Sequence, residues 1–147
     1  MELKALMLAD YAVTANGRTT IAGTFDSYDV LAPKGAPDDA LKVILLPRSY
    51  LVVITEVGLF EGLQHELLLR VTNGSGERIH DDVRFQTPFI LNDMGRRMRS
   101  VTILELANFV VPGPDDYLIE VYHVAESPVR LGDFILSVVD RTPKVDG

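Results

Sequence analysis

Apolar residues return at every second position through much of this chain, and clusters of glycine, proline, asparagine and aspartate cut the pattern into short runs. A period of two places alternate side chains on opposite faces of an extended strand, so the pattern predicts strands joined by turns. The clearest case is Leu3–Ser27, where two apolar-rich runs flank Asn16-Gly17. That dipeptide tolerates the positive φ of a type I′ turn and therefore predicts a hairpin. With Ala15 opposite Arg18, the register sets Ala12 against Ile21, Asp10 against Gly23 and Leu8 against Phe25. Leu6, Leu8, Ala12, Ile21 and Phe25 then share a side that is expected to be core.

After the hairpin, Tyr28–Asp39 carries Pro33, Lys34-Gly35 and Pro37-Asp38-Asp39, which predicts an irregular connection. Ala40–Leu46 fits either a short helix capped by Asp38 or Asp39 or an extended segment; the β-branched Val43-Ile44 and the terminating Pro47 favour the extended form. Tyr50–Val57 is apolar on both parities, as a central strand covered on both faces must be. Gly58–Gly62 is a short connection. His65, Leu67, Leu69 and Val71 alternate with Glu66, Leu68, Arg70 and Thr72, the pattern of a half-buried strand. A turn at Asn73-Gly74-Ser75-Gly76 leads to a run with Ile79, Val83 and Phe85 on one parity. Asp81 breaks that parity, so a bulge or an exposed end is expected there. Pro88–Ser100 reads as a loop, Val101–Val111 as a strand, Pro112–Asp116 as a turn, and Tyr117–Val124 and Val129–Val139 as strands parted by Glu126-Ser127-Pro128. Arg141–Gly147 is expected to be a frayed tail.

About eight short strands with no long amphipathic helix predict an all-β fold, an antiparallel β-sandwich in preference to a partly closed barrel. The 147 residues fit a single domain, 1–147, large enough for a core without staples. Cysteine is absent, which removes disulfides, thiolate zinc sites and cysteine nucleophiles. The opening residues show no export signal, and Lys42, Pro47, Arg48 and Glu56 interrupt the longest apolar region, Leu41–Phe60. A cytoplasmic, soluble protein is expected. The net charge of −7 sets the long-range field against nucleic acid and anionic lipid, so neither is expected as a partner.

Several short motifs resemble those of a bacterial family of uncharacterised β-sandwich domains. They are Asp10-Tyr11-Ala12, Asn16-Gly17-Arg18 and Ile21–Asp26 in the hairpin, Glu61–His65, the turn Asn73–Glu77, and Pro112–Tyr117. Arg18 stands where lysine is usual, and the last turn is longer than a plain Pro-Gly-x-Tyr. The resemblance implies a β-sandwich and brings no activity with it.

Candidate chemistry is sparse. Asp10 falls among the apolar positions of the hairpin and across from Gly23, where a carboxylate is costly unless it is paired or reaches water. It is either a binding acid in a small depression or an acid at a sheet margin. Arg96, Arg97 and Arg99 form the one dense basic cluster, suited to a carboxylate or phosphate. Loop acids Asp38, Asp39, Asp115 and Asp116 offer a calcium alternative, although acidic turns commonly only cap and solvate. His65, His80 and His123 lie in separate strands without metal-ligand spacing; His65 and His123 are read as sheet residues and His80 as facing solvent. Neither a nucleophile elbow, a phosphate loop nor a dinucleotide fingerprint is present, so no catalytic residue and no cofactor is expected. The function expected is a non-catalytic binding or assembly module that meets a protein partner, or another copy of itself, through strand edges or loops. A small-molecule hydrolase using Asp10 with a loop histidine or arginine is the enzymatic alternative, and a calcium-dependent binding domain the other.

Overall fold

The hairpin forms in the expected register. β1 (Glu2–Ala15) and β2 (Arg18–Phe25) pair antiparallel, with Leu8 across from Phe25, Ala12 from Ile21 and Ala15 from Arg18. Asn16 and Gly17 at the corner have φ of 52° and 72°, the left-handed values that this dipeptide accommodates. The computed structural model describes residues 1–58, 61, 64–88 and 98–144, and these are all-β. The strands that follow are β3 (Ser27–Val30), β4 (Ile44–Leu45), β5 (Ser49–Val57), β6 (Gln64–Thr72), β7 (Val83–Pro88), β8 (Met98–Leu106), β9 (Val110–Val111), β10 (Asp115–Val124) and β11 (Val129–Asp140). Among the described residues no helix is long and apolar enough to cross a membrane.

Eleven strands thus replace the expected eight or so. They form a four-stranded sheet ordered β2-β1-β5-β8, a five-stranded sheet ordered β3-β11-β10-β6-β7, and the small pair β4-β9. The extra strands have identifiable causes. Tyr28–Asp39 is not irregular throughout, because its first residues run on as β3 beside β11. That pairing is parallel, which corrects the expectation of a wholly antiparallel fold. Val101–Val111 is not one strand either: Asn108 takes φ of 58°, a left-handed value that asparagine tolerates better than most residues, and splits it into β8 and β9. β9 then pairs with β4, so Ala40–Leu46 resolves into turns followed by two extended residues, and the Leu46 amide adds a hydrogen bond to the Phe109 carbonyl. Asp81 interrupts its run as expected, with β7 starting only at Val83. Gly58–Gly62 and Pro88–Ser100 lie largely outside the described residues. Arg141 and Thr142 are not frayed: the Arg141 amide donates to the Val30 carbonyl and the Thr142 hydroxyl accepts from the Ala32 amide.

The chain passes repeatedly between the two large sheets, and side chains from all three sheets make one core. Leu8, Leu51 and Val53 enter it from the four-stranded sheet, Leu67, Leu69 and Ile119 from the five-stranded sheet, and Ile44 and Val111 from the small pair. β5 lies between β1 and β8 and is buried on both parities, with Leu51, Val52 and Val53 fully covered. This is the central strand that its unbroken apolar run predicts.

The hairpin does not give its whole predicted side to that core. Leu6, Leu8 and Phe25 contribute, but Ala12 and Ile21 do not. The ladder passes from Ala9–Thr24 to Tyr11–Ala22, and at the intervening Gly23 φ is +67°. Beyond this bend Ala12, Val13 and Thr14 share a shallow groove with Val101 and Ile103, so the end of the hairpin lies against β8. A bent strand carries its alternating faces away from the original plane, which is why one side of the hairpin serves two places.

The outer face of the five-stranded sheet is closed by polar contacts. Arg70 clamps Asp82 through two hydrogen bonds of 3.1 and 2.9 Å, and its guanidinium lies 4.9 Å from the centre of the Tyr122 ring. Tyr122 in turn donates to Glu120 at 2.7 Å, and Arg130 reaches the same carboxylate at 3.3 Å. The hydrogen bonds from Arg70 hold the Asp82 carboxyl below its ordinary value, with burial opposing the shift. A carboxylate depressed in the folded state stabilises the fold above its unfolded pKa, and that contribution is lost as pH falls through the folded value. Asp82→Asn is therefore expected to cost about 1–2 kcal/mol at neutral pH. Its difference from the parent should narrow below about pH 4 in urea unfolding curves taken across the acid range. A difference that stays constant down to strong acid would show that Asp82 does not act through its charge.

Candidate functional site

The edges of the two large sheets meet at β7 and β8 and then part. At the closed end Thr87 donates to the Ser100 hydroxyl at 3.0 Å and Thr102 donates to Thr87 at 2.7 Å. These hydroxyls satisfy one another where, among the described residues, neither strand has a ladder partner on that side. Towards Val83 and Leu106 the strands separate, and a cleft of about 720 Å³ opens between them, beside the small β4-β9 pair. Leu69, Phe109 and Val111 form its inner wall, each nearly or fully buried. Val43, Val83 and Val110 form its lips and are 71%, 38% and 43% exposed.

Local chemistry explains each part of this wall. The asparagine turn at Asn108 ends β8 and turns Phe109 inward while leaving Val110 outward, since neighbouring residues of an extended pair face opposite ways. The break at Asp81 keeps residues 79–82 out of the β7 ladder, and Ile79 and His80 turn to the cleft. Charged groups are confined to the margin: Lys42, Asp81 and Glu105, the last paired with Arg48. A concave apolar surface of this volume with few polar groups is the usual form of a binding site.

His80 was expected to face solvent and instead stands half-buried in this wall, its ring edge-on to Phe109 with centroids 5.6 Å apart. Its Nδ1 lies 2.9 Å from the Asp81 carbonyl oxygen. The other two histidines meet across β6 and β10, with Nδ1 of His65 3.0 Å from Nε2 of His123. Burial, followed by the neighbouring His65, lowers the pKa of His123. One ring must therefore donate and the other accept, which rules out charging both at once. This meeting carries no signal in the sequence, because the two residues lie 58 positions apart.

The other candidates are spread out. Asp10 is exposed at the hairpin bend, where Gly23 leaves room for it: a Cβ built at Gly23 would fall 2.4 Å from Asp10 Oδ2. The Asp10 carboxylate is thus open to water that solvates it. Arg99 lies at the opposite end of the same sheet and reaches Glu56 at 3.4 Å. Asp10 follows Ala9, which stands across from Tyr50 and through it Glu105, and the span from Glu105 to Arg99 is roughly 20 Å of extended chain. Arg96 and Arg97 lie outside the described residues.

The loop acids Asp115 and Asp116 are bonded to other parts of the fold. Asp115 accepts from the Gly74 amide at 3.0 Å and the Asp116 amide at 2.7 Å, and Asp116 accepts from the Ser137 hydroxyl at 2.7 Å. Asp38 and Asp39 are exposed, with the Lys42 amide bonded to the Asp39 carbonyl in the turn that follows. Among the described residues no three histidine or acidic side chains gather closely enough to hold a metal ion. No protein-family model matches the chain, and no curated protein matches it either.

Proposed function

We propose that this chain is a β-sandwich binding module without catalytic activity, and that the cleft between β7 and β8 is where a protein partner docks. The observation that carries the reading is the cleft itself, an apolar hollow whose exposed valine lips continue it onto the surface. Apolar surface left in water is the source of binding free energy, about 25 cal/mol for each Å² that a partner covers. The outer face of the five-stranded sheet, by contrast, spends its charges on one another and offers a partner little.

The sandwich reading is supported by the two large sheets sharing one core and by Tyr117. Its hydroxyl donates to the Gly113 carbonyl at 2.5 Å, four residues upstream, across the turn into β10. A buried tyrosine bonded back to the preceding turn is the corner device of Greek-key sandwiches. Burial holds the phenol above its ordinary pKa, so the hydroxyl keeps the proton that it donates.

A neutral solvatochromic dye such as Nile red tests the docking site, because the charge of −7 would repel an anionic one. The folded protein is expected to bind the dye, and the double variant Val83→Arg/Val110→Arg to bind it at least about tenfold more weakly. Both substituted side chains are partly exposed, so the thermal midpoint should move little. Undiminished dye binding by a folded double variant would place apolar binding elsewhere and overturn the reading.

A further inference from the structure

Among the described residues that line the cleft, His80 carries a buried ring nitrogen whose bonding is incomplete. Nδ1 of His80 faces the Asp81 carbonyl, an oxygen that can only accept, so in the neutral ring Nδ1 carries the proton and Nε2 is left as a bare acceptor. Nε2 is buried and has no hydrogen-bond partner. Such an acceptor is costly to keep from water, and a group that brings a donor to it recovers the loss. Phe109 stands edge-on beside the ring, and Leu69 and Leu106 are among the apolar residues that line the hollow. An apolar body that brings a donor to Nε2 complements this part of the surface. The exposed lips at Val43 and Val83 require, in addition, something wider than that body to cover them.

We propose that the cleft takes a tryptophan side chain from a protein partner, its indole N–H donating to Nε2 of His80. Indole is the uncharged apolar side chain that donates without accepting, whereas the donor-only lysine and arginine would bring a full charge into the hollow. The surrounding backbone of the partner covers the valine lips, as the near-neutral ring around a buried aromatic anchor does at other interfaces. A small rotation of His80 or Phe109, of the kind side chains make on association, opens Nε2 to the indole. This chain has no tryptophan, so the anchor comes from a different protein and a second copy cannot supply it. The inference rests on reading the cleft as the docking site.

The test titrates the full chain against N-acetyl-L-tryptophanamide and against N-acetyl-3-(2-naphthyl)-L-alaninamide, which has similar bulk and no N–H. The protein contributes no indole fluorescence of its own, so the emission of the first probe reports binding directly. Its emission is expected to shift to the blue, with binding at least about tenfold tighter than that of the naphthyl probe. In His80→Phe the preference should fall below about threefold while the naphthyl probe still binds. Equal affinities in the parent protein would overturn the donor assignment and leave the cleft standing as an apolar site. Failure of both probes would overturn the tryptophan proposal, and the Nile red result would then decide whether the docking site falls with it.

Discussion

Tyr117→Ala is expected to lower the free energy of unfolding by about 3–5 kcal/mol, the range for removing a fully buried aromatic side chain. Tyr117 is 1% exposed, packs in the main core between the sheets, and has no open side into which neighbours could relax. A loss of that size is a large share of the stability of a domain of this length, so the variant should unfold at a visibly lower urea midpoint or accumulate as insoluble protein. Tyr117→Phe separates the two roles of the residue. It keeps the ring and deletes the donor, stranding the Gly113 carbonyl in the turn, and should cost about 1–3 kcal/mol. If the phenylalanine variant matched the parent, the hydroxyl would be idle and the corner argument for the sandwich would fail, even with the core intact.

The second large effect is expected at Gly23. Its φ of +67° is a conformation in which an L side chain costs roughly 1–2 kcal/mol. The added Cβ would also fall 2.4 Å from Oδ2 and 3.0 Å from Cβ of Asp10. Asp10 is exposed, so its carboxylate can swing away in part, but its own Cβ cannot follow without moving β1. Gly23→Ala should therefore cost about 2–3 kcal/mol, combining the backbone strain with the displaced neighbour. The same change in an Asp10→Gly background removes the collision and leaves the strain, so its cost should drop to about 1–2 kcal/mol. The cycle of these four proteins, followed by urea unfolding, measures the coupling directly. Equal costs in both backgrounds would mean that Asp10 and Gly23 do not constrain one another. Because the bend at Gly23 brings Ala12 and Val13 against β8, the alanine variant should also raise hydrogen exchange at Val101 and Ile103.

The two residues illustrate how much could be read in advance. The pairing of Asp10 with Gly23 followed from the turn alone, because a two-residue corner sets the register of everything in its ladder. What Gly23 does there, bending the hairpin towards β8, did not follow, since glycine is permitted in many conformations and the sequence does not say which is used. Tyr117 was legible as a strand residue after the turn Pro112–Asp116. Its hydroxyl bond to Gly113 spans only four residues and was within reach of the Pro-Gly and tyrosine spacing. The cleft was further off. Asn108 was a signal for a break in Val101–Val111, outweighed by the apolar residues around it. His80 gave no signal at all, because its burial depends on Phe109, which arrives 29 positions later from the turn between β8 and β9.

The all-β character, the Asn16-Gly17 corner with its register, the covered central strand β5 and the interruption at Asp81 follow from the order of residues alone. Each depends on the alternation or backbone preference of residues adjacent in the chain, which act before any distant contact is made. Packing across the whole fold sets β1 beside β5 and β10 beside β6, runs β3 parallel to β11, brings His65 to His123, and parts β7 from β8 over an apolar hollow. Those arrangements depend on how whole sheets cover one another's apolar faces, a nondirectional force that many strand orders would satisfy equally well in sequence terms.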